Sequence, residues 1–312
     1  MAMICSAALA ISVADRALCD EYPSKPIRLV TSLPGGSADF VARVIGQGIT
    51  LSLGQPVIVE NRGGGFITGQ IVSRAVPDGY TLLVAPGSFW VAPFFQKAPY
   101  DPVKDFSPVV LAVVAPNVLV VHASIPAKSV KELIAIAKAS PGALNYAASA
   151  PGAPNHLSAE LFKSLAGINV VYVPYKSGGA AVVGLLGGEA QLMLDTGASL
   201  MPHIKSGKIR ALAVTSRAQS ALFPGLPPIG DTLPGYEAVA MTAVFAPAAT
   251  PVRIIDRLNR EIMRVLEQGS QEKFFASGSE VAGGPPAQLA AAVNADMTRW
   301  GKLIKDAGLR AD

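Results

Sequence analysis

Pro34-Gly35-Gly36-Ser37-Ala38-Asp39-Phe40-Val41-Ala42-Arg43 follows directly on the apolar run Ile27-Arg28-Leu29-Val30-Thr31-Ser32. The first run reads as a strand, Pro-Gly-Gly breaks it, and Ser37 restarts the chain as a helix. A helix beginning there points unpaired backbone N–H groups at the carboxyl end of the strand. That arrangement makes an anion site from peptide dipoles, without charged side chains. Gly35 and Gly36 let a ligand approach the backbone closely, and Ser37 supplies both a helix cap and a hydroxyl. Asp39 stands four residues before Arg43, so an i,i+4 ion pair is expected. Its place in the first turn also keeps Asp39 a candidate ligand contact.

A second copy of this pattern lies at Ser149-Ala150-Pro151-Gly152-Ala153-Pro154-Asn155-His156-Leu157, after the strand-like run Leu144 to Ala148. Ser149 and Gly152 are its candidate contacts. His156 is either a packing residue at the helix start or a ligand contact. Asp195 ends the apolar strand Leu192-Met193-Leu194, where a carboxylate either meets a ligand donor or caps the next helix. Tyr175 and Ser177, after Val173-Pro174, are placed to line the same space. Two such turns suggest a small anion held from two sides.

The rest of the 312 residues supports an α/β chain of two lobes. Half the residues are hydrophobic and 15% are charged, with 30 Gly and 25 Pro, which suits buried parallel strands and excludes disorder or a coiled coil. The net charge is +4, but the bases are scattered singly and form no stripe with stacking aromatics, so nucleic acid is not an expected partner. Residues 1–21 read as a signal peptide or leader, with an apolar core and Ser12-Val13-Ala14 as an A-x-A-like cleavage site. No Lys or Arg precedes that core. Cys5 leaves with the leader and Cys19 lies near the cleavage region, with Arg16-Ala17-Leu18 a poor lipobox, so no structural disulfide is expected.

Strand and helix patterns then alternate. The spacing predicts helices over Asp39 to Leu53, Asn155 to Ala166, Gly178 to Leu186, and Pro286 to Ala307. Ser129-Val130-Lys131-Glu132 reads as a capping box opening a further helix, and Thr250-Pro251 as the cap of one running to about Glu267. Strands are expected at Val57 to Glu60, Thr81 to Ala85, Val109 to Val114, Asn117 to His122, Val170 to Val173, Gln191 to Asp195, Arg210 to Thr215 and Val239 to Ala246. The strand from Thr81 ends at Pro86-Gly87-Ser88, which adds Ser88 to the candidate contacts. The expected lobes are 22–122 with 240–312, and 123–239. Two crossings make a hinge, with a cleft at the carboxyl ends of the strands.

The catalytic inventory is thin. There is no G-x-S-x-G elbow, Walker loop, Cys/His cluster or H-x-x-x-H, and Gly63-Gly64-Gly65 does not complete G-x-G-x-x-G. No cofactor, metal or catalytic residue is expected.

The order Tyr22-Pro23-Ser24-Lys25-Pro26-Ile27-Arg28, Pro34-Gly35-Gly36-Ser37-Ala38-Asp39, Val59-Glu60-Asn61-Arg62, Pro77-Asp78-Gly79-Tyr80-Thr81 and Pro116-Asn117-Val118-Leu119-Val120-Val121 resembles the Bug/TctC family. Leu144-Asn145-Tyr146, Val173-Pro174-Tyr175-Lys176, Gln191-Leu192-Met193-Leu194-Asp195 and Arg210-Ala211-Leu212-Ala213-Val214-Thr215-Ser216 continue the resemblance over the whole mature chain. It implies a type II periplasmic-binding-protein fold, periplasmic and monomeric, that delivers a small organic acid to the membrane permease of a tripartite tricarboxylate transporter. It further implies that the loops Leu33 to Asp39 and Ala148 to His156 hold one carboxylate, Asn155 included, while Asp195 sets the remainder of the ligand. Dicarboxylates, tricarboxylates, amino acids and aromatic acids all fit that description. The chain departs from the family pattern at Gly63, at Pro228-Ile229-Gly230-Asp231 and at Ala240-Met241-Thr242. A periplasmic sensor role, or an enzyme acting through His156 and Asp195, are the rival readings.

Overall fold

The computed structural model describes residues 22–63, 66–149, 152–306 and 308. The leader expected over 1–21, both cysteines, Gly64, Gly65, Ala150 and Pro151 lie outside the described residues.

The first lobe begins with β1 (Ile27–Thr31), α1 (Ser37–Leu53) and β2 (Val57–Asn61), followed by α2 (Ile67–Ser73), β3 (Thr81–Pro86) and the short α3 (Ser88–Val91). β1 pairs in parallel with both β2 and β3. Strands covered on both faces need continuous apolar runs, and Ile27, Leu29, Val30, Leu82 and Leu83 are all fully buried. α1 packs on them through Val41, Ile45 and Ile49, the spacing of one helical face. It stops at Gly54, whose left-handed backbone (φ 66°) caps it.

β4 (Phe106–His122) is one continuous strand where the sequence suggested two. Its first part pairs antiparallel with β9, and its second part, from Asn117, pairs with β7 and β8 in the other sheet. The pairing therefore changes sheets at Pro116–Asn117. The second lobe then runs through α4 (Val130–Ala139), β5 (Asn145–Ala148), α5 (Pro154–Ala166), β6 (Val171–Pro174), α6 (Gly178–Leu186), β7 (Leu192–Thr196), α7 (Gly197–Lys205) and β8 (Ile209–Val214). The chain returns through β9 (Val239–Pro247), α8 (Val252–Glu267), α9 (Gln271–Ala276), β10 (Glu280–Gly283) and α10 (Pro286–Asp306). The strand order is β2-β1-β3-β9-β4-β7-β5-β6, with β8 and β10 also on β4. This is the two-lobed α/β architecture expected, with β4 common to both lobes.

Thr215 knits the two crossings together. It is fully buried, its Oγ1 accepts the Asn117 N–H (2.8 Å), its N–H donates to Asn117 O (3.0 Å), and its carbonyl accepts the Ala238 N–H (3.0 Å). α10 packs across β4, α3 and α5, so the C-terminal helix touches both lobes.

Two local expectations need correction. Thr250 does not cap α8: its hydroxyl donates to Pro247 O (2.7 Å), and Pro251 opens the helix without a side-chain cap. In the capping box, Ser129 Oγ accepts the Glu132 N–H as expected, but the Glu132 carboxylate reaches back to the Lys128 N–H (2.7 Å).

Candidate functional site

The two glycine turns have the same construction. In the first, Gly35 adopts φ 82°, Gly36 is extended (φ −80°, ψ 168°), and α1 starts at Ser37 with no side-chain cap. In the second, Gly152 adopts φ 80°, Ala153 is extended (φ −64°, ψ 153°), and α5 starts at Pro154, again with no side-chain cap. Only glycine takes such a positive φ without strain. In each turn that glycine donates its N–H to the side chain four residues on: Gly35 to Asp39 Oδ2 (2.9 Å) and Gly152 to His156 Nδ1 (3.2 Å). Asp39 and His156 are thus the same element in two lobes, a buried acceptor that locks the turn. Two differences separate them. The start of α1 is left open, whereas at α5 the His156 N–H donates to Asn155 Oδ1 (2.9 Å). Ser37 keeps its N–H at the first helical position, where Pro154 has none.

Asp39 has no free oxygen for a ligand. Arg43 Nε (3.1 Å) and Asn61 Nδ2 (2.8 Å) join Gly35 on its carboxylate, and Asn61 also donates to Ser32 O (2.8 Å). The i,i+4 pair with Arg43 is formed at 2.9 Å. Burial opposes the charge on Asp39, but the hydrogen bonds from Arg43, Gly35 and Asn61 and the Arg43 charge outweigh it, holding the carboxyl at about 2. His156 packs edge-on against Tyr172 (4.6 Å between centroids), and burial pushes its pKa below the ordinary value. With Nδ1 accepting from Gly152, the neutral ring carries its proton on Nε2.

Both turns open onto a divided space between the lobes. A cavity of about 800 Å³ is lined by Leu33, Pro34, Gly35, Gly36, Ser88 and Gly152 among others, and an adjoining one of about 240 Å³ by Ser37, Ser88, Gly152, Pro154 and Asn117. Ser88 and Gly152 belong to both. Leu33 to Ser37 are exposed to the cleft, while Asp39 lies buried behind them.

The remaining candidates stand further back. Ala148 is fully buried at the end of β5. Ser149 Oγ donates to Asn155 Oδ1 (2.8 Å), and Asn155 Nδ2 donates to Asp195 Oδ2 (3.2 Å), a chain that ties the turn to the end of β7. Asp195 Oδ1 also accepts the Thr196 N–H (2.6 Å), the residue that opens α7. Neither cavity is lined by Asn155, His156 or Asp195. Tyr175 is directed elsewhere: its hydroxyl donates to Glu189 Oε2 (2.9 Å), and its ring covers Gly184, where any Cβ would collide with it.

Sequence reasoning missed the walls. Phe66, Phe89, Phe95 and Tyr100 line the larger cavity, and Met241, Asp296 and Trp300 the smaller. The signal available was the pairing Phe89-Trp90 and Phe94-Phe95 just past β3, in a chain only 6% aromatic. Met241 falls in the departure at Ala240-Met241-Thr242 and lines the smaller cavity. Among the described residues no group of three His, Cys, Asp or Glu side chains is placed to hold a metal ion. No described helix is long and apolar enough to cross a membrane.

Residues 41–309 match the family described as the tripartite tricarboxylate transporter family receptor, TctC. The UPF0065 protein in the tcbD-tcbE intergenic region of Pseudomonas sp. (strain P51) is 36% identical, over 94% of this chain and 89% of that protein. Protein BugT of Bordetella pertussis is also 36% identical, over 93% of this chain and 92% of its own length. Among solved structures, Rpa4515 of R. palustris with adipate is 34% identical with a TM-score of 0.71, over 93% of this chain and 99% of that one. A TctC solute-binding protein from Polaromonas, at 23% identity, shares the fold with a TM-score of 0.84, over 91% of this chain and 99% of that one.

Proposed function

The chain belongs to the tripartite tricarboxylate transporter receptor family, and from that premise we propose that it binds a small organic carboxylate between its lobes and hands it to the permease of such a transporter. Family membership makes it a periplasmic solute receptor and not an enzyme. We read residues 1–21 as the export leader that this location requires.

What supports the ligand class is the repeated glycine turn, one per lobe, opening onto a shared cavity, with the start of α1 uncapped and the start of α5 partly closed by the Asn155 side chain on the His156 N–H. Closing the lobes strips water from the ligand's head group, and N–H donors must replace it. Charge-assisted hydrogen bonds contribute roughly 1.5–3 kcal/mol each, enough for a carboxylate to be held without an arginine clamp. R. palustris Rpa4515 was solved with adipate and MatC of the same organism with malate, both carboxylates.

A thermal-shift screen of the mature protein against organic acids tests this. A ligand at about 100 times its Kd adds about 2.7 kcal/mol, several degrees at about 2–4 °C per kcal/mol. Gly36→Leu should abolish the response while the fold survives. Gly36 has φ −80°, and a Cβ there meets only Leu33 O at 3.6 Å, so the added side chain crowds the cleft without straining the turn. A normal response from a folded Gly36→Leu protein would remove the first turn from the site. Uptake of the identified acid by membranes carrying the permease, dependent on added receptor, tests the delivery step.

A further inference from the structure

The cavity shared by the two turns is walled in a way that discriminates among acids, an inference that rests on the carboxylate reading above. Phe89 and Tyr100 stack at 4.8 Å between centroids, and Phe66 meets Tyr100 edge-on at 5.8 Å. Phe95 lies against the second turn, 3.5 Å from a Cβ built on Gly152. Leu33 extends this surface, 61% exposed beside the first turn. The polar side chains on the wall, among them Thr68, Ser88 and Gln96, are uncharged. The Tyr100 hydroxyl is already used, donating to Phe89 O (3.1 Å), and burial raises its pKa so that it stays neutral.

Among the described residues no Lys, Arg or His lines either cavity. Gly64, Gly65, Ala150 and Pro151 carry no ionisable side chain by sequence. The one carboxyl group is Asp296, on the smaller cavity, where Oδ2 accepts from Trp90 Nε1 (2.8 Å) and Oδ1 from Arg299 (3.2 Å). A ligand whose first carboxylate occupies both turns therefore meets no countercharge for a second. In the larger cavity it would give up water against aromatic rings with no countercharge. In the smaller one it would lie beside another carboxyl group. An aromatic or other apolar body meets the opposite conditions, since half-buried Phe66 and Phe95 and exposed Leu33 present apolar surface to it, with the buried Phe89 and Tyr100 completing the wall.

We propose that this receptor selects a monocarboxylate with an apolar, preferably aryl, body: the head group lies at the two turns and the body against Phe66, Phe89, Phe95 and Tyr100. Dicarboxylates are its weaker ligands.

Isothermal titration of the mature protein with 3-phenylpropanoate, adipate and 3-phenylpropan-1-ol tests this directly. The aryl acid should bind at least about tenfold tighter than adipate, equivalent to about 1.4 kcal/mol. The alcohol, which lacks the carboxylate, should bind at least about a hundredfold more weakly than the aryl acid. Gln96→Arg, at an exposed position on the cavity wall, should improve adipate binding at least about fivefold and narrow the gap. Adipate binding as tightly as the aryl acid would overturn the monocarboxylate assignment and leave the carboxylate site standing. An unchanged ratio in Gln96→Arg would overturn the argument from missing wall charge. Failure of both acids to bind, or an alcohol as good as its acid, would overturn the carboxylate reading and this inference with it.

Discussion

Replacing Asp39 by Asn removes a charge while keeping the shape and one acceptor, so it isolates what that charge contributes. The carboxylate is buried and collects hydrogen bonds from Gly35, Arg43 and Asn61, with Arg43 as its counterion. Burial alone would raise its pKa, yet these partners lower it from the ordinary 3.8 to about 2. At about 1.36 kcal/mol per pKa unit, the charge adds about 2 kcal/mol to the stability of the folded state. Because the folded pKa is the lower one, that contribution is complete above 3.8 and disappears as pH falls through about 2. Urea unfolding of the wild type and Asp39→Asn, followed by circular dichroism, should show a gap of about 2 kcal/mol near neutral pH. The gap should shrink between about pH 5 and about pH 2. The reasoning fails if the two proteins are equally stable at neutral pH, or if their difference is the same at acid pH.

Neighbouring glycines in the first turn should respond with opposite signs. Gly35→Ala, at φ 82°, should cost about 1–2 kcal/mol, whereas Gly36→Ala, at φ −80°, should be neutral or stabilising by up to about 1 kcal/mol; denaturant midpoints decide both. His156→Gln preserves an acceptor for the Gly152 N–H and removes a titrating group. Burial lowers the His156 pKa, with Lys163 acting the same way and Glu160 opposing, so wild-type stability should decline as pH falls below 6.5, and the variant should lose that slope in melting experiments. Arg299→Leu leaves buried Asp296 without its cationic partner and also breaks the Arg299–Glu237 pair (2.9 Å), which joins α10 to the returning crossing. That variant should lose about 3–5 kcal/mol, and Asp296→Asn in the same chain should restore much of it; no rescue in chemical denaturation would mean the loss is one of packing.

The elements that sequence reasoning found were those whose signals are local. Gly167 stops α5 in the left-handed region (φ 58°), and the apolar spacing of Val41, Ile45 and Ile49 gives α1 its buried face. β4 was split in two because Pro116 interrupts the pattern, and only the partners on either side reveal one strand serving two sheets. The short helix α7 was missed because Pro202 lies inside it. The turns were legible, as were the Asp39–Arg43 pair and the packing alternative for His156, but the bond that each side chain accepts from its glycine was not. Whether a first-turn acceptor faces a ligand or folds back on the preceding glycine depends on neighbours such as Asn61, far away in the chain. The aromatic wall was invisible for a related reason: Phe66, Phe89 and Tyr100 meet only after β3 is inserted between β1 and β9.

This arrangement separates two tasks that many ligand sites mix. On the proposed reading, recognition of the head group would fall to main-chain N–H groups, whose positions are fixed by glycine φ angles and by acceptors buried behind the turns. Those acceptors differ chemically, a carboxylate in one lobe and a neutral imidazole in the other, yet they lock the same backbone geometry. Selection among acids would then fall to side chains on the cavity walls, which can change without disturbing either lock. Gln96, Thr68 and Met241 touch neither Asp39 nor His156 by any hydrogen bond found in the described residues. Exchanges at these wall positions should therefore shift ligand preference at nearly constant stability, while exchanges at Gly35, Asp39, Gly152 or His156 should reduce stability and affinity for every acid together.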